Sequence, residues 1–211
     1  MVASDFTPAE EQLLENEFQA LLADYARTNH RQKVELITRA YHLAKQAHGG
    51  VRRLSGEPYM MHPLSVARIV VKEIGLGSTS ICAALLHDVA KPRTSHEKAN
   101  DDGNSFYNHE IIGSRMAGRI LKRLKFSTAQ ISHIKHLIKH HMFYYTKEWT
   151  DGAVRRFIRN VGAENLEDLF LLRDADRNGN GSKIGIPKAF HHHHLLFERT
   201  TFLLSASKEK L

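Results

Sequence analysis

The heptapeptide Leu85-Leu86-His87-Asp88-Val89-Ala90-Lys91 places an imidazole beside a carboxylate at the end of an apolar run that begins at Ile81. A neutral imidazole and a hard carboxylate oxygen together favour a divalent cation with mixed nitrogen and oxygen coordination. An ionisable pair that adjoins an apolar helix also needs a compensating charge. The stretch therefore predicts a buried helix with part of a metal site at its polar end.

The segments on both sides of this stretch have helical periodicity, and no segment sustains a period of two. Thr7-Pro8-Ala9-Glu10 is a capping box with proline at the first helical position, and Ser127-Thr128-Ala129-Gln130 is a second capping box. Apolar residues recur at helical spacing from Leu13 to Tyr25. Further helices are predicted over about residues 32–48, 64–74, 78–91, 108–125, 127–140, 150–160, 163–176 and 187–205. The predicted fold is all-α, a bundle of seven to nine helices, with a packing helix in residues 1–30 and one domain in residues 31–211.

Two polar segments flank the helices nearest the His-Asp pair. Residues 51–59 are rich in helix breakers and lead to His62-Pro63 at the start of the third helix. Residues 93–105 are charged and rich in Asn and Asp, which predicts a mobile loop beside the motif. Both segments are therefore expected at the rim of a pocket.

Other His and Asp residues stand where they can converge on the pair. His62 lies at a helix entrance, and Asp176 ends the apolar run that begins at Leu169. Two His and two Asp residues leave about two positions of an octahedral metal open for water and substrate, as a hydrolytic metal requires. A second metal, bridged by Asp88, would take its ligands from His109, His140 and His141. Lys91, one turn past His87, would neutralise a phosphate.

Composition narrows the class of protein. The net charge of +7 favours an anionic partner, although Lys and Arg residues on solvated faces are the plain alternative. Fifteen His residues make transition-metal binding more probable than in an average chain. The single Cys82, inside an apolar run, predicts a buried thiol in a reducing compartment. No stretch approaches the roughly 18 apolar residues of a membrane helix, and the N-terminus does not resemble a signal peptide, so we expect a cytoplasmic protein without membrane partners.

His62, His87-Asp88 and Asp176 in an all-α chain resemble the H…HD…D signature of the HD-domain metal-dependent phosphohydrolase superfamily. Residues 40–89 look like the hydrolase domain of RelA/SpoT enzymes, which remove the 3′-pyrophosphate from (p)ppGpp. That resemblance implies that the loop residues Arg53 and Ser55 bind the nucleotide and that Asn180 contacts its ribose. The chain departs from the family at Leu54, where Lys is usual, and at Lys91-Pro92, where the family has a catalytic Glu-Asp pair.

From Lys91 onward the chain resembles the HD domain attached to bacterial CCA-adding tRNA nucleotidyltransferases, although no nucleotidyltransferase head is present. The similar segments are 106–113, 141–142, 149–157 and 171–176. His-Asp-x-x-Lys also occurs in HD proteins that use two metals; His109 and His141 match the added ligands there, and His140 fits the His-His variant.

These observations favour a metal-dependent phosphohydrolase that acts on a small nucleotide or phosphate ester through a metal-activated water. Its expected catalytic residues are His87, Asp88 and Lys91, and Lys91 also joins Arg53, Ser55 and Asn180 as a substrate contact. The expected cofactor is one or two divalent ions, manganese first, with iron, cobalt, nickel or zinc as alternatives. Two other readings stay open, a (p)ppGpp 3′-pyrophosphohydrolase and a non-catalytic RNA-binding HD module that keeps its metal. The oligomeric state is not predicted.

Overall fold

Helix α4, Ser78–Leu86, lies at the centre of the fold, and every residue from 81 to 90 is buried. A helix that is apolar on all sides needs partners around its whole circumference. In the computed structural model, which describes residues 6–97, 104–179 and 188–208, α4 packs against four other helices, α2 (Val34–Ala47), α3 (Met61–Lys72), α6 (Thr128–His140) and α8 (Leu166–Asn178). The all-α prediction is confirmed.

The remaining helices form an outer layer. Helix α1 packs on α3, α5 packs on α6, and α9 packs on α7 and α8. Their bounds are Pro8–Ala26 for α1, His109–Arg123 for α5, Asp151–Val161 for α7 and Lys188–Lys208 for α9. The described residues thus contain nine α-helices and two short 3₁₀ turns, Lys91–Arg93 and Ala163–Asn165. The division of the chain at residue 30 stays a prediction.

Both predicted capping boxes are present. The Thr7 and Ser127 hydroxyls accept from the backbone N–H groups of Glu10 and Gln130, and the Glu10 and Gln130 side chains accept from the cap backbone. Among the predicted core residues of α1, Leu14 and Phe18 are buried, whereas Leu13 is 42% exposed. The buried thiol of Cys82, whose pKa burial raises to about 12, also agrees with the sequence.

Three local predictions differ from the structure near the site. Helix α3 begins at Met61, so His62 lies within its first turn, where Pro63 is tolerated because the first N–H groups of a helix need no partner. Helix α4 ends at Leu86, and His87 and Asp88 stand in a tight turn closed by hydrogen bonds to carbonyls three residues back. Residues 93–105 are predicted as a mobile loop, but strand β1 (Ser95–Glu97) pairs antiparallel with β2 (Asn104–Phe106), which ends one residue beyond that segment.

His48, predicted to support the loop that follows it, is fully buried at the end of α2. Its ring stacks on Tyr59 with ring centroids 5.0 Å apart, and neither ring nitrogen has a hydrogen-bond partner among the described residues. Burial lowers the pKa of His48 from 6.5 to about 4, although the negative charge of Asp88 opposes the shift. The native protein therefore holds this imidazole neutral.

The His48→Phe variant should lose less stability in acid than the parent protein. Below pH 6.5 the unfolded chain protonates His48 and the native chain does not, so the stability contribution of this group falls as the pH drops from 6.5 towards 4. Removing the imidazole should shrink the difference in unfolding free energy between pH 7.5 and pH 4.5 by about 2.5 kcal/mol. Urea unfolding at the two pH values measures it, with His42→Phe, an exposed residue of the same helix, as the control. An unchanged acid loss in His48→Phe would contradict this account.

Candidate metal centre

Three elements bring four buried side chains together. Helix α3 supplies His62, the turn after α4 supplies His87 and Asp88, and α8 supplies Asp176 near its end. One potential ligand atom from each lies within 4.8 Å of those of the others. His62 Nε2 is 3.1 Å from Asp176 Oδ1 and 3.5 Å from Asp88 Oδ2, and His87 Nε2 is 3.2 Å from Asp88 Oδ2. We call this set the first group.

A second group uses the other oxygen of Asp88. His109, the first residue of α5, and His141, which follows α6, place their Nε2 atoms 3.5 and 3.8 Å from Asp88 Oδ1. All three side chains are buried, and their potential ligand atoms lie within 4.8 Å of one another. Asp88 therefore faces both groups, with one oxygen towards each.

The four His rings make the same kind of hydrogen bond to the backbone. The Nδ1–H groups of three of them donate to the carbonyl oxygens of residues three positions earlier, which are Ala84 for His87 (2.7 Å), Phe106 for His109 (2.8 Å) and Ile138 for His141 (2.7 Å). The fourth, His62 Nδ1–H, donates to the carbonyl oxygen of Gly179 at 3.3 Å. Because a carbonyl only accepts, each neutral ring carries its proton on Nδ1 and presents the Nε2 lone pair to the carboxylates. Backbone contacts of this kind fix the tautomer of metal-ligating His residues.

The electrostatics of the centre follow from burying two carboxylates among imidazoles. Burial alone would raise the pKa of Asp88, but the positive charges of His87 and Lys91 hold it well below its usual value. Burial alone would lower the pKa of His87, but the charges of Asp88 and Asp176 raise it to about 10. Burial and the nearby His87 lower the pKa of His141 to about 3. Both carboxylates are thus ionised, and His141 is neutral at pH 7.

The residues present fit a divalent metal. His87 Nε2 and Asp88 Oδ1 are buried without a hydrogen-bond partner among the described residues. His109 Nε2 and His141 Nε2 point at each other across 3.4 Å, an arrangement of two lone pairs that a cation between them would satisfy. Imidazole nitrogen with carboxylate oxygen suits Mn, Fe, Co, Ni or Zn better than Mg or Ca.

Lys91 lies in the 3₁₀ turn and not on α4, and from there its side chain reaches the centre. Its Nζ lies 2.7 Å from Asp88 Oδ2 and donates to the Tyr59 hydroxyl at 2.7 Å. The expected placement of Lys91 one helical turn past His87 is wrong because α4 ends at Leu86. The cation instead pairs with Asp88, three residues before it, and lies 5.4 Å from the ring centroid of Phe106 in β2.

Sequence reasoning missed two residues of the centre. The Tyr59 hydroxyl donates to Asp88 Oδ2 at 2.9 Å, and burial together with Asp88 raises its pKa. Arg173 donates to Asp176 Oδ2 at 2.7 Å and so leaves Oδ1 to His62. Arg173 stands three residues before its partner on one helix, a spacing that places both on one face. The three-residue spacing between Arg173 and Asp176 is therefore the sequence feature from which this ion pair could have been predicted.

Four other predicted residues are placed as follows. The structure does not bring His140 into either group, since its ring packs on His136 with centroids 4.5 Å apart. Arg53 forms an ion pair with Glu57 at 3.0 Å in the loop before α3, and Ser55 is exposed in the same loop. Asn180 lies outside the described residues.

The fold and the two adjoining groups define an all-helical protein with a His/Asp centre that fits a divalent metal. This chain belongs to the HD domain family, whose model matches residues 59–180. Among the helices that the structure describes, none combines the length and the apolar character needed to cross a bilayer.

The chain is similar to curated relatives of two different kinds. A guanosine-3′,5′-bis(diphosphate) 3′-pyrophosphohydrolase of Aquifex aeolicus is 34% identical over 170 residues, which cover 78% of this chain and 21% of the relative. An A-adding tRNA nucleotidyltransferase of Deinococcus radiodurans is 36% identical over 107 residues, or 49% of this chain and 24% of the relative. The matched part is thus about a quarter or less of either relative, and the expected double resemblance is confirmed.

Proposed function

We propose that this chain is a metal-dependent phosphohydrolase that acts on a nucleotide or a related phosphate ester. The observation that carries the proposal is the hydrogen-bond arrangement common to four His rings, each of which donates Nδ1–H to a backbone carbonyl and turns Nε2 to a buried carboxylate. Membership of the HD domain family and similarity to a pyrophosphohydrolase support it.

The first group would hold one divalent ion, and the second group would hold another that shares Asp88. A bound divalent ion supplies a Lewis acid that lowers the pKa of water and polarises a phosphoryl oxygen. We propose manganese, since the ligands combine imidazole and carboxylate, with iron, cobalt, nickel and zinc as competitors.

Side chains of the protein would bind the substrate phosphate and orient the metal ligands. Lys91 is the cation nearest Asp88 and, at 17% exposure, can reach a phosphate at the mouth of the centre. Tyr59, hydrogen-bonded to both Lys91 and Asp88, fixes the direction of the ammonium group. Arg173 orients Asp176 in the same way. Arg53 and Ser55, in the loop before α3, stay proposed substrate contacts.

A second candidate within this class is hydrolysis of the 3′-pyrophosphate of (p)ppGpp. The Aquifex relative supports it, because that protein is named for this reaction and aligns with 78% of this chain. The pair Lys91-Pro92, where RelA/SpoT enzymes have Glu-Asp, weighs against it. In the structure Lys91 occupies that position with an ion pair to Asp88, so a cation replaces the expected acid.

The third candidate is a non-catalytic RNA-binding module. The chain has a net charge of +7 and no Asp or Glu between residues 111 and 147. Lys122-Arg123-Leu124-Lys125 and the arginines of α7, Arg155, Arg156 and Arg159, would then contact phosphates. Similarity to a tRNA nucleotidyltransferase is the supporting observation. For either role we propose the cytoplasm, in keeping with the reduced buried thiol of Cys82.

Metal-dependent phosphate release from a nucleotide panel tests the proposal. The purified protein, with its metal content measured by elemental analysis, is incubated with nucleoside mono-, di- and triphosphates and ppGpp. We expect turnover that a chelator abolishes and manganese restores, with ppGpp a poor substrate. Pyrophosphate released mainly from ppGpp would favour the second candidate. If the fully metallated protein showed no turnover but bound tRNA in a salt-sensitive way, both enzymatic proposals would be wrong. The third candidate, the RNA-binding module, would then remain.

A further inference from the structure

A cleft of about 410 Å³ opens between α2 and α5, beside the turn that carries the His-Asp pair. Val89, the residue after Asp88, forms part of its wall, and no residue of either metal group lines it. Small-molecule sites in proteins range from about 300 to 1,000 Å³, so the cleft has room for a ligand of nucleotide size. The cleft is distinct from the metal centre and does not depend on the proposed function.

Three guanidinium groups stand at this cleft. Arg119 and Arg123 lie one turn apart on α5, and Arg93 comes from the 3₁₀ turn after α4. All three residues are exposed, none forms an ion pair with a described residue, and no described carboxylate lines the cleft. Three like charges at one cleft, with no described carboxylate beside them, favour an anionic ligand. The planar fork of Arg matches a phosphate with two parallel hydrogen bonds.

The floor of the cleft is apolar. It is formed by five side chains from the two helices and the turn, Leu43, Ala47, Val89, Met116 and Ile120. The Gln46 amide, at the rim, offers both a donor and an acceptor. Inorganic phosphate would satisfy the arginines but leave this floor exposed to water, whereas a phosphorylated molecule with a flat apolar part would cover it. Met116 can adapt to the shape of such a part.

We infer that the cleft between α2 and α5 binds a phosphorylated small molecule with an apolar ring system, of the nucleotide class, at a site separate from the metal centre. Its phosphates lie among Arg93, Arg119 and Arg123, and its ring lies on the floor beneath Gln46. Arg115, one turn before Arg119 on α5, lines a different cavity together with Lys135 and Lys139. It therefore supplies a matched control with the same charge on the same helix.

Fluorescence anisotropy of N-methylanthraniloyl-GDP, with the full chain in chelator and again with manganese, tests this inference. The probe should bind saturably in both conditions. Arg119→Gln and Arg123→Gln should each weaken binding about tenfold, the size expected for one charge-assisted hydrogen bond, whereas Arg115→Gln should change it less than about twofold. Inorganic pyrophosphate should compete much more weakly than GDP. Thermal melting and metal content of each variant should match the parent protein.

Several results would overturn the inference. Binding that requires manganese and is lost in Asp88→Asn would place the probe at the metal centre. An equal loss in Arg115→Gln would indicate general attraction of the basic surface to anions, as for RNA. If pyrophosphate competed as strongly as GDP, the apolar floor would contribute nothing to binding. Each of these results leaves the phosphohydrolase test unaffected, and absence of turnover leaves the cleft unaffected.

Discussion

Asp88→Asn should remove metal from both groups and lower phosphate release by more than about 10³-fold. The side chain keeps its size but loses the negative charge that both groups share, and one of its two oxygens becomes an amide nitrogen. Oδ2 lies 3.2 Å from His87 Nε2 and Oδ1 lies 3.5 Å from His109 Nε2, so either orientation of the amide turns an N–H group towards one set of ligands. Among the residues that the structure describes, Asp88 alone belongs to both groups.

The variant also leaves two positive neighbours without their counter-charge, the partly exposed Lys91 and, in the metal-free centre, the buried His87. Lys91 pairs with Asp88 at 2.7 Å, and the raised pKa of His87 depends on Asp88 and Asp176. Removing one partner of a buried pair costs about 3 to 5 kcal/mol, so Asp88→Asn should also melt at a lower temperature. Elemental analysis and turnover are therefore compared on protein shown to be folded by circular dichroism.

Asp168→Asn is the matched control for this variant. Asp168 also pairs with an imidazole, at 2.8 Å from His133, but it belongs to neither metal group. It should keep full metal content and turnover. Asp176→Asn should affect the first group alone, since Asp176 is absent from the second. Full metal content in a folded Asp88→Asn protein would show that the shared carboxylate is not a ligand.

Part of the centre could be predicted from the sequence because two of its members, His87 and Asp88, are neighbours in the chain. His87-Asp88 ends an apolar run, and an ionisable pair that is buried there needs an opposite charge or a metal beside it, wherever it lies in the fold. Asp176 and His62 could be named because each also stands where an apolar helix meets polar chain. Their distance from one another, 3.1 Å between Nε2 and Oδ1, comes from the packing of α8 on α3, which no local pattern encodes.

Predictions failed where they depended on the exact end of a helix. The α4 helix ends at Leu86, five residues before its predicted last residue, 91, and Lys91 therefore pairs with Asp88 instead of lying on the helical face of His87. His140 and His141 were both named for the second group, although the predicted end of α6 at His140 agrees with the structure. Successive residues at a helix end point in directions about 100° apart, so only one can face the centre. The structure turns His141 inward and His140 towards His136.

The short hairpin was missed for a different reason. Strands of three residues, Ser95–Glu97 and Asn104–Phe106, are too short to show a period of two. Their pairing brings Phe106 to the end of β2, where its carbonyl accepts from His109 Nδ1–H and its ring lies near Lys91. Phe106, which directly follows the segment predicted as a loop at the pocket rim, therefore fixes the orientation of a proposed metal ligand.

His109→Ala should separate the two groups by removing one metal and leaving the other. His109 contributes only to the second group, where its Nε2 faces Asp88 Oδ1 and His141 Nε2. The remaining pair, Asp88 and His141, supplies too few ligands to retain an ion, whereas the first group keeps all four of its residues. Elemental analysis should fall from about two metals per chain to about one, with turnover reduced about 10²-fold or more.

His62→Ala provides the reciprocal variant, because His62 belongs only to the first group. It should also lose about one metal, and the double variant should lose nearly all of it. His136→Ala, a half-buried His on α6 outside both groups, should lose none. If the parent protein holds one metal and His109→Ala keeps it, the second group is not a metal site. A single-metal centre with Lys91 as its cationic neighbour would then have to support the chemistry.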